Sequence, residues 1–494
     1  VNTRKLGRTA VAAAGAAGLV ALAAAGASAA SSGSAAAAPP PVKLVAGGTD
    51  VTLASVQDYG VDLDLGTHVV AGNAPIEVRA TRASYSSPVV ATQYVHGKPV
   101  RQLPKGLVTD FSGLGKFLHI TLTDAAGKKV LEQDQAVCLN GDGSRTRPDA
   151  PATSPYPDGC YANPFTQGAV WGLQTGWSSR TYGGGDPVQL AVGKYKATVT
   201  VNKAYRDFFK IPAKNSSVKL NVTVQKSDAC VRGCLGSKQA RATSVAPKPN
   251  AARPTGKASV PKGPKPDLRP VPAWGIVTAP GDAGTPDANK DFLQFSATVW
   301  NAGPSPLVLD GFRRQGKDLM DAYQYFYNAQ GKQVGYQNTG TLEWDGRDGH
   351  SHWHFTDFAR YSLLNAKQTE VVRSQKEAFC LAATDSIDYT VKNANWHPDN
   401  TDLHTACGDH GSLSVREVLD VGSGDTYVQS LPGQSFDITN LANGTYYIQV
   451  TANPENRLFE SSTKNNVALR KVTLGGTKHH RTVKVLPVGV ITTP

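Results

Sequence analysis

The run Asp348-Gly349-His350-Ser351-His352-Trp353-His354 puts an imidazole at every second position. Successive side chains of a β-strand alternate between faces, so His350, His352 and His354 share one face and can converge on a single metal ion. Imidazole suits both copper and zinc, and a set of neutral nitrogens without thiolate leans toward copper in an oxidising compartment. On a flat strand the outer two Cα atoms would sit roughly 13 Å apart, so the strand has to curl or bulge here. Gly346 and Gly349 supply backbone freedom for such a bend. The plainer reading of alternate histidines is the polar face of an exposed strand. Against it, only 11 histidines serve 494 residues, and Trp353, Phe355 and Phe358 point to a buried wall behind the triplet.

The sequence around the triplet is β-like. In the same half, Leu293 to Val299, Phe355 to Leu364, Ser435 to Ile438, Thr445 to Val450 and Val467 to Leu474 read as strands. Helical periodicity is weak and surfaces only over Ala366 to Ala378. The first half alternates similarly at Val61 to Leu65, Ile76 to Ala80, Phe117 to Leu122 and Lys194 to Val201, with a turn-rich loop over Asn140 to Tyr156. The expected fold is all-β: two β-sandwich-like domains, 42–235 and 266–484, joined by a basic Pro/Ala/Lys-rich linker at 236–265 and followed by a tail at 485–494. Single histidines in the first half, His68, His96 and His119, form no catalytic constellation.

Arg4, Lys5 and Arg8, the apolar stretch after them and Ala27-Ser28-Ala29 read as a signal peptide over 1–29, ahead of a low-complexity segment at 30–41. The expectation is a secreted or extracellular protein with no transmembrane segment in the mature chain. Six cysteines fit that compartment, and proximity favours Cys138 with Cys160, Cys230 with Cys234, and Cys380 with Cys407 among the fifteen pairings. Zinc ligation by Cys230 and Cys234 is the competing reading. The net charge of +12 is concentrated in the linker, which suits anionic cell-envelope polymers, or a soluble spacer, better than nucleic acid.

Set in Leu342-Glu-Trp-Asp-Gly-Arg-Asp-Gly-His-Ser-His-Trp-His-Phe-Thr-Asp-Phe-Ala-Arg-Tyr-Ser-Leu-Leu364, the triplet resembles the copper motif of the lysyl oxidase family. Further similar segments are Phe379-Cys380-Leu381, Asp425-Thr426-Tyr427, Asp437-Ile438-Thr439, Gly444-Thr445-Tyr446 and Glu460 through Asn465-Asn466-Val467. The resemblance implies copper on His350, His352 and His354. It also implies calcium on the Asp267 carboxylate, the Leu268 main chain, Glu460, Asn465 and Asn466, with Ser462 standing where the family commonly has Asp. An ordinary turn satisfied by its asparagines is the alternative.

Lysyl oxidases oxidise primary amines, peptidyl lysine among them, to aldehydes with O2. They use a quinone made by cross-linking a lysine to a tyrosine. Gapless placement on the family pattern puts Ala442 at the lysine and Leu474, or after a shift Gly476, at the tyrosine, so the catalytic residues stay unassigned. Tyr361, Tyr427, Tyr446 and Tyr447, with Lys464, Lys471 and Lys478, are the candidates for a relocated cofactor. Two functions follow: a copper-dependent oxidase of primary amines, or a non-catalytic copper-binding extracellular protein that has lost its quinone. A zinc hydrolase is a third, but its His-x-His-x-Asp-His pattern lacks the Asp here.

Overall fold

The computed structural model describes residues 42–227, 253–328, 330–346, 351–376, 378–398, 403–430 and 434–488. The signal peptide, the low-complexity segment, Cys230, Cys234, most of the basic segment, the final residues and His350 lie outside the described residues.

The fold is all-β, and the strands of the described residues gather into six sheets. Three belong to the N-terminal half. The largest runs in the order 60–61, 50–56, 217–227, 193–201, 114–124, 129–137, and only the 50–56/217–227 pair is parallel. Alternation is plain in Leu114–Asp124, where Phe117, Leu118, Ile120 and Leu122 turn to the core. Trp171, Tyr205, Phe117 and Phe209 fill the space between the sheets. A single α-helix, Lys203–Phe209, lies among the described residues, closed by Lys210 in the left-handed conformation.

Three more sheets make up the C-terminal half. One orders 378–379, 352–356, 333–345, 319–327, 307–313 and 414–419, and so carries the histidines. A second is built on 291–301 with 423–429 and 385–386, and a third on 370–373, 359–364, 444–452, 467–477 and 480–485. Their inner faces meet on Phe295, Leu342, Trp353, Phe355, Tyr361, Phe379, Phe436 and Ile448. Across the paired strands at Asp310 and Arg416, two hydrogen bonds of 2.6 and 2.7 Å close a buried guanidinium–carboxylate fork that pins the Ser414–Leu419 strand.

Three expectations need correcting. Ala366 to Ala378 is not helical: Glu370–Arg373 is an exposed-edge strand that pairs with 359–364. The run Phe355 to Leu364 is two strands in different sheets, broken at Asp357 with φ 60°. Val61 to Leu65 contributes only the short strand Gly60–Val61. The described part of the basic segment lies along the C-terminal half, with Ser259 N–H donating to the Tyr336 carbonyl (2.9 Å) and Arg253 reaching the Arg313 carbonyl (3.0 Å).

Candidate active site

His352–Thr356 is antiparallel to the long strand Gln333–Asp345, in the register Asp345↔His352, Trp344↔Trp353, Glu343↔His354. Ser351, at φ 27°, turns the chain into this strand. The rings of His352 and His354 stand 4.7 Å apart at 71° to each other. His354 is 1% exposed, and its Nδ1 lies 3.4 Å from Oδ2 of Asp345, itself buried. A carboxylate at one ring nitrogen directs the other toward a metal, the usual support for a ligating histidine. Two of the three expected ligands therefore stand side by side. The third, His350, lies outside the described residues, among which no group of three metal-ligating side chains forms.

The strand is clamped from behind. Trp353 donates its main-chain N–H to the Cys407 carbonyl (3.0 Å) and its indole N–H to the Asp409 carbonyl (2.8 Å), while Trp344 packs edge-on against it at 5.7 Å. Cys407 is bonded to Cys380 and Cys138 to Cys160, two of the three expected pairs.

On the other side of the histidine strand, Phe355 pairs with Phe379. Just before that short strand, Lys376 is buried, with Nζ 5.1 Å from the Phe379 ring centre and 5.2 Å from that of Tyr427. Tyr427 lies on Ser423–Gln429, packs edge-on against Phe379 at 4.7 Å and donates its hydroxyl to the Cys380 carbonyl. Burial pushes its phenol well above the usual range, and Asp425, Glu417 and Tyr361 push it further. The Cys380–Cys407 bridge thus joins the anchor of Tyr427 to the anchor of the histidine strand.

Two acids complete the cluster. Glu417 and Asp425 are both buried; Leu381 N–H donates to Glu417 Oε2 at 3.2 Å, whereas Glu417 Oε1 and Asp425 Oδ2 have no hydrogen-bond partner among the described residues. Desolvation raises both carboxyls well above their usual range; Asp425 adds to the rise at Glu417 and Asp385 to that at Asp425. The Lys376 ammonium works against this at Asp425. Asp425, Tyr427 and Gln429 alternate along one strand and so share a face, and among the described residues the buried Gln429 amide also has no hydrogen-bond partner.

Neither Ala442 nor Leu474 belongs here. Ala442 precedes the strand Gly444–Ala452 and Leu474 is a core residue of Val467–Thr477, both in a different sheet from the histidines. Lys464, Lys471 and Lys478 are exposed. Tyr446 donates to the Ala442 carbonyl, Tyr447 lies beside Lys471, and Tyr361 is packed beneath Phe379. Of the named candidates only Tyr427 meets a lysine beside the histidine strand, and that lysine, Lys376, was missed. Its signal was available: it stands three residues before Phe379-Cys380-Leu381.

At the expected calcium site, Leu268 N–H donates to Glu460 Oε2 (2.9 Å), Asn466 Nδ2 to Glu460 Oε1 (2.8 Å) and Asn465 Nδ2 to Asp267 Oδ1 (3.1 Å). Burial raises the Glu460 carboxyl. The five named residues are therefore adjacent.

The family model described as Lysyl oxidase matches residues 314–484. Lysyl oxidase homolog 2 of Xenopus tropicalis is 31% identical over 132 residues, which is 26% of this chain and 15% of that protein. Lysyl oxidase homolog 4 of Mus musculus is 31% identical over 129 residues, 26% of this chain and 15% of that protein. Protein-lysine 6-oxidase of Rattus norvegicus is 33% identical over 139 residues, 28% of this chain and 29% of that protein. The matches span less than a third of each relative's length. Over residues 314–484 this chain thus matches the lysyl oxidase family model and is similar to curated lysyl oxidase homologues.

Proposed function

We propose that the chain is a secreted, copper-dependent oxidase of primary amines in which Lys376 and Tyr427 are the precursors of the quinone. The observation that carries this reading is the enclosed lysine facing a tyrosine ring at 5.2 Å, on the flank of the histidine strand. His350, His352 and His354 are the proposed copper ligands. An all-imidazole donor set without thiolate fits copper, and the carboxylate at His354 Nδ1 fits a ligand presented through Nε2.

Once in place, copper and the quinone would supply an electrophilic carbonyl and a two-electron sink that O2 reoxidises. The chain's own residues do the rest. The Cys380 carbonyl fixes the Tyr427 hydroxyl, Phe379 and Tyr361 wall off one side, and burial keeps water from Lys376. Asp425 and Glu417, held toward their neutral forms, are poised to give a proton to a bound amine's reacting group and, as the carboxylates so left, to take one back.

Calcium binding belongs to the same reading. Asn465 Oδ1 and Asn466 Oδ1 are buried without hydrogen-bond partners among the described residues, next to two carboxylates, which is an oxygen donor set suited to that ion. Export is supported by the basic-apolar N-terminus and by two disulfides. The division at the basic linker, its affinity for anionic envelope polymers, and peptidyl lysine as substrate are further parts of the proposal. The rival reading, a copper-binding protein without the quinone, rested on Ala442 and Leu474 and loses that support.

The test is addition of phenylhydrazine to copper-loaded protein. A coloured covalent adduct is expected in the wild type and not in Tyr427→Phe; a wild type that forms none contradicts the oxidase reading and favours the rival.

A further inference from the structure

We propose that the N-terminal half works on the site as a brace: its segment Cys160–Gly168 holds the strand that carries Tyr427, with Asn163 as the positioning residue. The proposal rests on the reading of Tyr427 as a quinone precursor. It concerns residues that lie outside the 314–484 match.

Two disulfide-closed loops interlock. The segment that leaves Cys160 runs beside residues 386–389, inside the loop closed by Cys380 and Cys407. Ser386 N–H donates to the Tyr161 carbonyl (2.8 Å), Gln167 N–H to the Ile387 carbonyl (2.7 Å) and Tyr389 N–H to the Gly168 carbonyl (3.0 Å), while Thr166 Oγ1 donates to the Ser386 carbonyl (2.9 Å). Gly168 is required by this approach, because a Cβ there would meet Asp388 Oδ1 at 2.1 Å and Thr390 Oγ1 at 2.6 Å. Phe165 is buried in a small cluster with Val271, Trp300 and Ile387. One segment thus adds strand-like hydrogen bonds and an apolar anchor to the other half.

The brace reaches Tyr427 through Asn163. Its Oδ1 accepts the Phe165 N–H (2.8 Å) and shapes its own loop, leaving Nδ2 to point outward, 3.3 Å from Asp385 Oδ2 and 3.4 Å from Thr298 Oγ1. Both partners hold Thr426: its hydroxyl donates to Asp385 Oδ2, and it lies 2.6 Å from Thr298 Oγ1. Thr426 is the residue between Asp425 and Tyr427, facing away from them. Asp385 itself pairs with Gly424 in the same strand. A largely buried polar knot therefore seals the back of the strand whose front presents Asp425 and Tyr427, and among the described residues Asn163 is its one member from the N-terminal half. Buried knots hold position only when every member is satisfied, so losing the Asn163 donor loosens the strand there first.

The discriminating variant is Asn163→Asp, which keeps the oxygen that shapes the loop but sets a carboxylate against Asp385. In metal-free full-length protein, nitration of Tyr427 by tetranitromethane is expected to rise about tenfold while the core residue Tyr205 stays protected. On copper loading, appearance of the phenylhydrazine-reactive group is expected to slow by a comparable factor at unchanged copper content. If Asn163→Asp does not fold, Thr166→Val removes the bond its hydroxyl donates to the Ser386 carbonyl and the one it accepts from Asn163 N–H, and is expected to move Tyr427 nitration in the same direction by a smaller factor. Unchanged Tyr427 nitration in a folded variant, or an equal rise at Tyr205, overturns the brace. A wild type that never reacts with phenylhydrazine sinks the oxidase reading instead, and the nitration comparison still decides the brace.

Discussion

Replacing Glu417 by glutamine should stabilise the protein, and only above the pH at which carboxyls ordinarily ionise. Glu417 is wholly enclosed, receives a hydrogen bond from Leu381 N–H, and has its carboxyl raised by burial first and by Asp425 as well. The folded chain therefore holds a proton that the unfolded chain has released once the pH passes the ordinary glutamate value of 4.5. Stability falls with rising pH through that window, by about 1.4 kcal/mol for each unit by which the folded value exceeds the unfolded one. Glutamine keeps an acceptor for Leu381 and removes the ionisable group. At pH 4 the two proteins should match closely. At pH 8, where the wild type must hold that carboxyl against its ordinary ionisation, the variant should lead by about 3 kcal/mol, the order of the penalty for a buried polar group lacking its full set of partners. For domains of this size that is roughly 5–10 °C in Tm. Thermal unfolding of metal-free protein across pH 4–8 measures it. A difference between variant and wild type that does not change with pH, or a variant that loses ground as pH rises, refutes the argument that Glu417 is held neutral.

Asp345→Asn should weaken copper binding by about 10–100-fold in competition dialysis, because the carboxylate facing His354 Nδ1 is lost while the side-chain volume stays; an unchanged affinity removes Asp345 from the account. Calcium at a hundredfold excess over its dissociation constant should add about 2.7 kcal/mol of stability, and Asp267→Asn should abolish most of that gain. A wild-type Tm that ignores calcium contradicts the site at Asp267, Glu460, Asn465 and Asn466.

The parts of the fold legible in the sequence were those where one face is buried and the other is not. Lys194 to Val201 and Thr445 to Val450 alternate plainly, and each lies inside an observed strand. The errors have physical causes. Phe355 to Leu364 is apolar on both sides of Asp357, and nothing in hydrophobicity alone marks the left-handed turn that sends its two pieces into different sheets. Glu370–Arg373 is a sheet-edge strand with little burial, so its period was hidden. At the site, the alternation of His352 and His354 anticipated their adjacent rings. The lysine–tyrosine pair was not read because gapless placement on strands 444–452 and 467–477 looked in the wrong sheet. Both Lys376 and Tyr427 lie in or beside segments already similar to the family, and only the fold shows that these meet.

The central claim is that Lys376 and Tyr427 become one covalent group. Proteolysis of copper-loaded, air-exposed protein followed by mass spectrometry tests it most directly: the account predicts a single species joining the Lys376 and Tyr427 peptides, absent from protein kept free of copper. Recovery of both peptides separate and unmodified after full copper loading contradicts it.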